Sequence, residues 1–296
     1  MARVLVTGIT GFTGVYLANL LREKGDEVFG IASNVDDRSR GIHQCDLLDA
    51  SALRDAVAEI RPEAVVHLAA IAFVAHGDVD AIYRTNVAGT RNLLAALAAL
   101  DTRPDAVLLA SSANIYGNPE IDPLIEEAGY LPANDYAVSK VAMEYMAALW
   151  RHRLPITVVR PFNYSGVGQS TQFLLPKIVD HFRRNAPEIE LGNLDVARDF
   201  SDVRTVVDAY ARLLQAGSTA GQAFNVCSGT AHSLQDVIGQ MQHIAGYEIE
   251  VRVNPAFVRE NEVKRLRGSK EKLESRIGPL RPIPLADTLR WMYEAP

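Results

Sequence analysis

Short apolar runs alternate with longer stretches of helical period through the first 160 residues. The runs fall at 3–7, 27–31, 64–68, 106–111 and 156–160 and hold few polar residues. The pattern predicts strands covered by helices on both faces. Between them apolar residues recur at three- and four-residue spacing, the period of a helix with one buried side. Such alternation builds an α/β fold, a doubly wound parallel sheet, because each crossover helix returns the chain to the same strand direction. Two helical stretches, 80–100 and 136–153, carry Ala and Leu on more than one face. That suits burial against the sheet on one side and a second copy of the chain on the other, so a homodimer through these helices is expected. Beyond residue 160 the alternation breaks into prolines, turn residues and shorter helices. The expected organisation is a Rossmann-type domain over 1–165, rejoined by 200–228, with a smaller C-terminal substrate-binding cap from 166–199 and 229–296.

The first strand runs into Thr7-Gly8-Ile9-Thr10-Gly11-Phe12-Thr13-Gly14 and then an amphipathic helix ending near Lys24. Gly8 and Gly11 let the turn tighten and the backbone approach a pyrophosphate, and Gly14 lets the helix pack close to the strand. The N-terminal N–H groups of the helix then face an anion. The spacing is GxxGxxG, where GxGxxG is commoner.

Composition narrows the partners. A chain of 296 residues, 48% hydrophobic and 22% charged, can bury a large core. A net charge of −6 argues against a nucleic-acid or anionic-membrane surface, so a phosphate-bearing partner must be held by a few placed cations and backbone amides. The longest apolar windows, such as 64–74, are too short to span a bilayer, and the chain opens without a signal-peptide pattern, so a cytoplasmic protein is expected. Cys45 and Cys227 lack metal-type spacing; no metal is expected, and both read as buried small hydrophobes.

The candidate chemistry lies after the fourth strand, in Ser111-Ser112-Ala113-Asn114-Ile115-Tyr116-Gly117, and twenty residues later in Tyr136-Ala137-Val138-Ser139-Lys140. At i, i+4 near a helix start, Tyr136 and Lys140 share a face, and the ammonium is expected to lower the phenol pKa. Tyr136 then serves as proton donor or acceptor, with Ser112 hydrogen-bonding the same substrate oxygen.

Taken together, these motifs resemble the extended short-chain dehydrogenase/reductase family along the whole chain. The matching stretches are the glycine turn, Asp46-Leu47, His67-Leu68-Ala69-Ala70, Asn86-Val87-Ala88-Gly89-Thr90, the Ser112 stretch, Tyr136 to Lys140, and Arg160-Pro161-Phe162-Asn163. The resemblance implies that Gly8, Thr10, Gly11, Phe12, Thr13, Gly14, Asp46, Leu47, Leu68, Ala69, Ala70, Asn86 and Pro161 bind the cofactor together with Tyr136 and Lys140. It places Asp46 at the adenine, has Asn86 steady the active-site helix, and gives Asn163 to the substrate's phosphate region. His67 reads as a packed residue at a strand end. An NAD enzyme of this fold usually ends its second strand with an acid, but here the strand runs into Ser33-Asn34. Ser33 and Asn34, with Arg38 or Arg40, can accept a 2′-phosphate, so NADP is the expected cofactor, with NAD also open.

Leu191-Gly192-Asn193-Leu194-Asp195 followed by Arg198-Asp199 is similar to the corresponding stretch of enzymes acting on GDP-6-deoxyhexoses, the GDP-mannose 4,6-dehydratases and the reductases that follow them. By that resemblance Asn193, Arg198, Arg259 and Glu262 bind a GDP-sugar substrate, the arginines at the diphosphate and Glu262 at the ribose. Dehydratases place an acid two residues before the tyrosine of the Ser112 stretch; here it is Asn114. Tyr164 stands where a His is common, and Ala72-Phe73 replace polar residues. The expected activity is NAD(P)H-dependent reduction of the 4-keto group of a nucleotide-linked 4-keto-6-deoxyhexose, GDP-4-keto-6-deoxy-D-mannose to GDP-D-rhamnose. A 4-epimerase, a 4,6-dehydratase and a non-catalytic cofactor sensor stand as alternatives.

Overall fold

A computed structural model describes residues 1–72, 77–118, 120–258 and 262–296. Six strands come first: β1 (Arg3–Thr7), β2 (Glu27–Ala32), β3 (Ile42–Gln44), β4 (Ala64–His67), β5 (Ala106–Ala110) and β6 (Ile156–Pro161). Three more, β7 (Asn163–Ser165), β8 (Glu188–Leu191) and β9 (Ala197–Asp202), precede β10 (Ala223–Val226), which returns to pair with β6. The resulting seven-stranded sheet is parallel throughout, in the order β10-β6-β5-β4-β1-β2-β3.

Alternation along each strand explains why its sequence is apolar throughout. Val4 and Val6 of β1 enter the core on one face of the sheet and Leu5 the core on the other; Leu108 of β5 opposes Val107 and Leu109 in the same way. The first face is covered by α1 (Phe12–Glu23) and, after two intervening sets of helices, α7 (Val203–Gln215), through Leu17, Leu21, Val206 and Tyr210. The second is covered by α2 (Ala50–Ile60), α4 (Thr90–Ala98) and α5 (Asp135–Ala148), through Val57, Leu93 and Met143.

The stretch expected as one helix over 80–100 is α3 (Val79–Tyr83) and α4 joined by a π-helical turn over Arg84–Gly89. Such turns widen a helix locally and recur at functional sites; this one carries Asn86. The helix expected over 136–153 ends its regular part at Ala148. A third strand, β3, went unrecognised because three residues are too few to show a period.

The remaining segments build a second core. Helices α6 (Leu174–Arg183), α8 (Leu234–Ala245) and α10 (Leu285–Glu294) bury Ile178, Phe182, Val237, Met241 and Leu289 together. Strands β11 (Ala231–Ser233) and β13 (Arg265–Leu266) flank β9, β7 also pairs with β9, and β12 (Glu250–Val253) pairs with β8. A short α9 (Glu271–Ile277) completes the chain's helices among the described residues. Cys45 and Cys227 are free and buried. No described helix is long and apolar enough to cross a membrane.

Candidate active site

The direction of the chain changes between β1 and β4: from β1 the sheet grows outward through β2 and β3, from β4 through β5 and β6. A crevice opens at such a point above the strands' carboxyl ends. The glycine turn follows β1, Ser33 and Asn34 follow β2, Asp46 and Leu47 follow β3, Leu68, Ala69 and Ala70 follow β4, and Pro161 ends β6. One edge of the sheet thus gathers segments that lie up to 150 residues apart.

The glycine turn leaves no room for side chains where it passes the backbone after β4 and its own first residues. Gly8 has φ +70°, and a Cβ there would stand 2.9 Å from the Ala69 nitrogen; at Gly14 a Cβ would stand 2.2 Å from the Gly8 carbonyl oxygen. Gly11 is the N-cap of α1 and no side chain caps the helix, so its first N–H groups are open. A dinucleotide pyrophosphate fits this turn. Ser33 and Asn34 are exposed. Arg38 is committed to Asp36, Glu59 and His43, whereas Arg40 lines a groove of about 300 Å³ beside Thr10, Asn19 and Arg22.

Tyr136 lies in the first turn of α5, which starts where Asn134 accepts a hydrogen bond from the Ala137 N–H. Asn86 donates to the Ile71 carbonyl and to Ser139 Oγ and accepts from the Ile71 N–H, so it clamps the segment after β4 onto α5. Beneath it Thr90 donates to the Asn86 carbonyl, which obliges His67 Nε2 to donate to Thr90 and leaves Nδ1 to accept from Thr7. Burial and the nearby Lys140 charge depress His67 to about 3, so it stays neutral and structural.

Ser112 Oγ accepts from the Asn114 N–H, and its hydroxyl acts on the Tyr136 phenol as a lowering influence. The expected lowering of that phenol by Lys140 is not what the structure shows. Burial outweighs the influence of Ser112 and pushes Tyr136 up to about 12. Lys140 instead donates to the Ala110 carbonyl at 2.8 Å, with its ammonium 6.0 Å from the Tyr136 ring centroid. Burial lowers Lys140 to about 8, against a raising influence of Glu144. At neutral pH both groups hold their protons. The ammonium is lost as pH rises through about 8, so kcat/KM is expected to fall above that value with a slope approaching −1 on a logarithmic plot. A profile flat to pH 10 would show that Lys140 keeps an ordinary lysine environment.

Glu144 was not singled out by motif spacing, although it continues the Tyr136, Lys140 stripe by four residues. It accepts from Arg160 Nε at 3.0 Å and Nη2 at 2.7 Å, both partners buried. Arg160 also donates to Tyr116 and Tyr130, and Tyr116 donates to Asn225. Asp199 follows Arg198 on β9. It is fully buried and accepts from Ser228 N, Ser228 Oγ and Gly229 N, fastening β9 to the segment after β10.

Of the substrate-side residues, Asn163 is exposed on β7, Arg198 lies on β9, and Asn193 lies in the loop before it. Arg198 Nη2 and Glu262 Oε1 stand 2.5 Å apart, so these two are joined to each other. Arg259 and Phe73 lie outside the described residues. Among the described residues no group of three His, Cys, Asp or Glu side chains could hold a metal ion.

A parallel doubly wound sheet with Ser112, Tyr136 and Lys140 at its carboxyl edge defines an enzyme of the extended short-chain dehydrogenase/reductase class, whose members use NAD(P). The match to solved structures of that class runs the length of the chain. The chain belongs to the family described as GDP-mannose 4,6 dehydratase, whose model matches residues 5–290. It is 36% identical over 277 residues to GDP-6-deoxy-D-talose 4-dehydrogenase of Aggregatibacter actinomycetemcomitans, covering 93% of this chain and 91% of that one. It is 35% identical over 300 residues to GDP-6-deoxy-D-mannose reductase of Pseudomonas aeruginosa, covering 97% and 95%. The structure of RMD from Pseudomonas aeruginosa complexed with NADPH superposes with a TM-score of 0.87 at 34% identity, covering 99% of this chain and 98% of that one. A crystal structure of a protein from Burkholderia cenocepacia J2315 superposes with a TM-score of 0.93 at 54% identity, covering 99% and 97%.

Proposed function

We propose that this protein reduces the 4-keto group of GDP-4-keto-6-deoxy-D-mannose with NADPH as the preferred cofactor and NADH as the alternative, giving GDP-D-rhamnose. The observation that carries the reading is the placement of Ser112 directly after β5 and of Tyr136 and Lys140 in the first two turns of α5, with Lys140 bonded to the Ala110 carbonyl at the end of β5. When bound, the cofactor supplies hydride. Tyr136 delivers its proton to the oxygen as alkoxide charge develops, Ser112 holds that oxygen in place, and Lys140, fixed by its bond to the Ala110 carbonyl, orients the cofactor. Elimination of water needs a further acid and base, and the position for one holds Asn114, which favours reduction over dehydration.

In this reading residues 1–165 with 200–228 hold the cofactor and 166–199 with 229–296 hold the nucleotide sugar. The cofactor residues are those gathered at the sheet edge, with Arg40 joining Ser33 and Asn34 at the 2′-phosphate in preference to the already paired Arg38. Asn163, Asn193, Arg198, Arg259 and Glu262 take the GDP moiety. The names of the two relatives support both a GDP sugar and a 4-position reaction, and their near-equal identity leaves the hydride face to product analysis. The test follows absorbance at 340 nm with the GDP, dTDP and UDP 4-keto-6-deoxy sugars. Consumption of NADPH confined to the GDP substrate supports the reading, with NMR distinguishing GDP-D-rhamnose from its 4-epimer; no consumption overturns it.

Val138 and Tyr145 on α5 and Leu149 at its C-cap are exposed along one stripe, at i, i+7 and i+11. A second copy of the chain covering this stripe is the homodimer proposed. Light scattering is expected to give about twice 32.4 kDa, and Leu149→Asp to reduce it to the monomer mass.

A further inference from the structure

Tyr164 is the departure from family pattern that the reaction leaves unused. On β7 it neighbours Asn163, and adjacent strand residues point to opposite faces. Asn163 is exposed, whereas the Tyr164 ring stacks on Phe12, centroids 6.2 Å apart at 16°, and its hydroxyl meets Thr13 Oγ1 at 2.8 Å. Phe12 and Thr13 are the first two residues of α1, in the open turn that suits a pyrophosphate. β7 pairs with β9, Asn163 opposite Phe200 and Tyr164 opposite Ser201, and β9 carries Arg198. One three-residue strand therefore touches the cofactor turn with one side chain while its neighbour and its partner strand carry the residues read as nucleotide-sugar ligands.

We propose that Tyr164 is a positioning residue that couples cofactor occupancy to nucleotide-sugar affinity through its bond to Thr13. The inference rests on the GDP reading above. Burial raises the Tyr164 phenol, so it keeps its proton and can donate to Thr13 Oγ1. Thr13 then has its own proton to offer to an anion at the turn. Two hydroxyls in series polarise one another, so an anion that draws on Thr13 tightens the Tyr164 bond and with it the placement of β7. Coupling of this kind is reciprocal and amounts to roughly 5- to 150-fold in affinity in typical cases. A second contact, Tyr16 Oη donating to the Val167 carbonyl, holds the same segment to α1 outside the glycine turn, so loss of the Tyr164 hydroxyl alone leaves β7 attached.

The test is calorimetric titration of GDP into the full chain, without and with saturating NADP⁺, for the wild type, Tyr164→Phe, Thr13→Val and the double variant. The wild type is expected to bind GDP about tenfold tighter with NADP⁺ present. In Tyr164→Phe, which keeps the stacked ring, the factor falls below about twofold while the GDP affinity of the cofactor-free protein stays within about twofold. Thr13→Val reproduces the loss and the double variant adds nothing, as two ends of one bond require. An undiminished factor in Tyr164→Phe, or no factor in the wild type, overturns the coupling while GDP binding itself stands. Absence of any GDP binding by the wild type overturns the nucleotide reading and the coupling together.

Discussion

Tyr136→Phe is expected to lower kcat by about 10²- to 10⁴-fold, the usual contribution of a positioned proton donor. Phenylalanine keeps the ring in its buried place at the start of α5 and removes only the hydroxyl. The phenol is held at about 12, so the wild type presents a proton across the neutral range and the variant presents none. Because the loss falls on the reacting oxygen, the thermal midpoint is expected to stay close to wild type and the dissociation constant for NADP⁺ to change far less than kcat. Single-turnover kinetics alongside cofactor titration separate these effects. Unchanged turnover would remove Tyr136 from the chemistry and point to the non-catalytic, cofactor-sensing alternative.

Glu144→Gln is expected to cost about 3–5 kcal/mol of stability, the usual penalty for leaving one member of a buried ion pair uncompensated. Arg160 would keep its charge in a site where its side chain is only 4% exposed, and Tyr116 and Tyr130 cannot replace a carboxylate. At roughly 2–4 °C per kcal/mol for a chain somewhat smaller than this one, the midpoint should fall by about 10 °C. Replacing both partners, Glu144→Leu with Arg160→Met, should recover most of the loss, since an apolar pair of similar size carries no desolvation cost. Thermal and urea unfolding of the two variants decide it. Equal destabilisation of single and double variants would show that the surrounding tyrosine and backbone contacts, and not the charge pair, hold β6 to α5.

The parallel sheet was legible because its information is local and periodic. Five strands lie within a residue of the positions that their apolar runs indicate, and each run is apolar throughout because its side chains enter a core on each face of the sheet. The glycine turn was legible for a related reason: a Cβ at Gly8 or Gly14 has no room, so the residue type itself reports the close approach. The small sheet of β7, β9, β11 and β13 was not legible, since strands of two to six residues between turns carry too little period and its paired strands are up to about 70 residues apart. The π turn at Arg84–Gly89 buries Asn86 and Gly89, so no apolar spacing marks it in the sequence.

The candidate chemistry divides along the same line. Residue types and spacing alone determined the α/β class, the anion-binding turn, and the shared face of Tyr136 and Lys140, because each depends on neighbours within one turn of helix or one strand. Protonation and pairing were decided by the tertiary structure. Spacing predicted an ammonium lowering the phenol, yet burial raises Tyr136 and turns Lys140 toward the Ala110 carbonyl. Spacing offered Arg38 and Arg40 equally, yet Asp36 and Glu59 occupy Arg38. The Glu144, Arg160 pair, the Asp199 bonds to Ser228 and Gly229, and the Tyr164 contact with Thr13 join residues 16 to 151 positions apart. A side chain's charge and partners depend on what is desolvated beside it, and only the packed chain determines that.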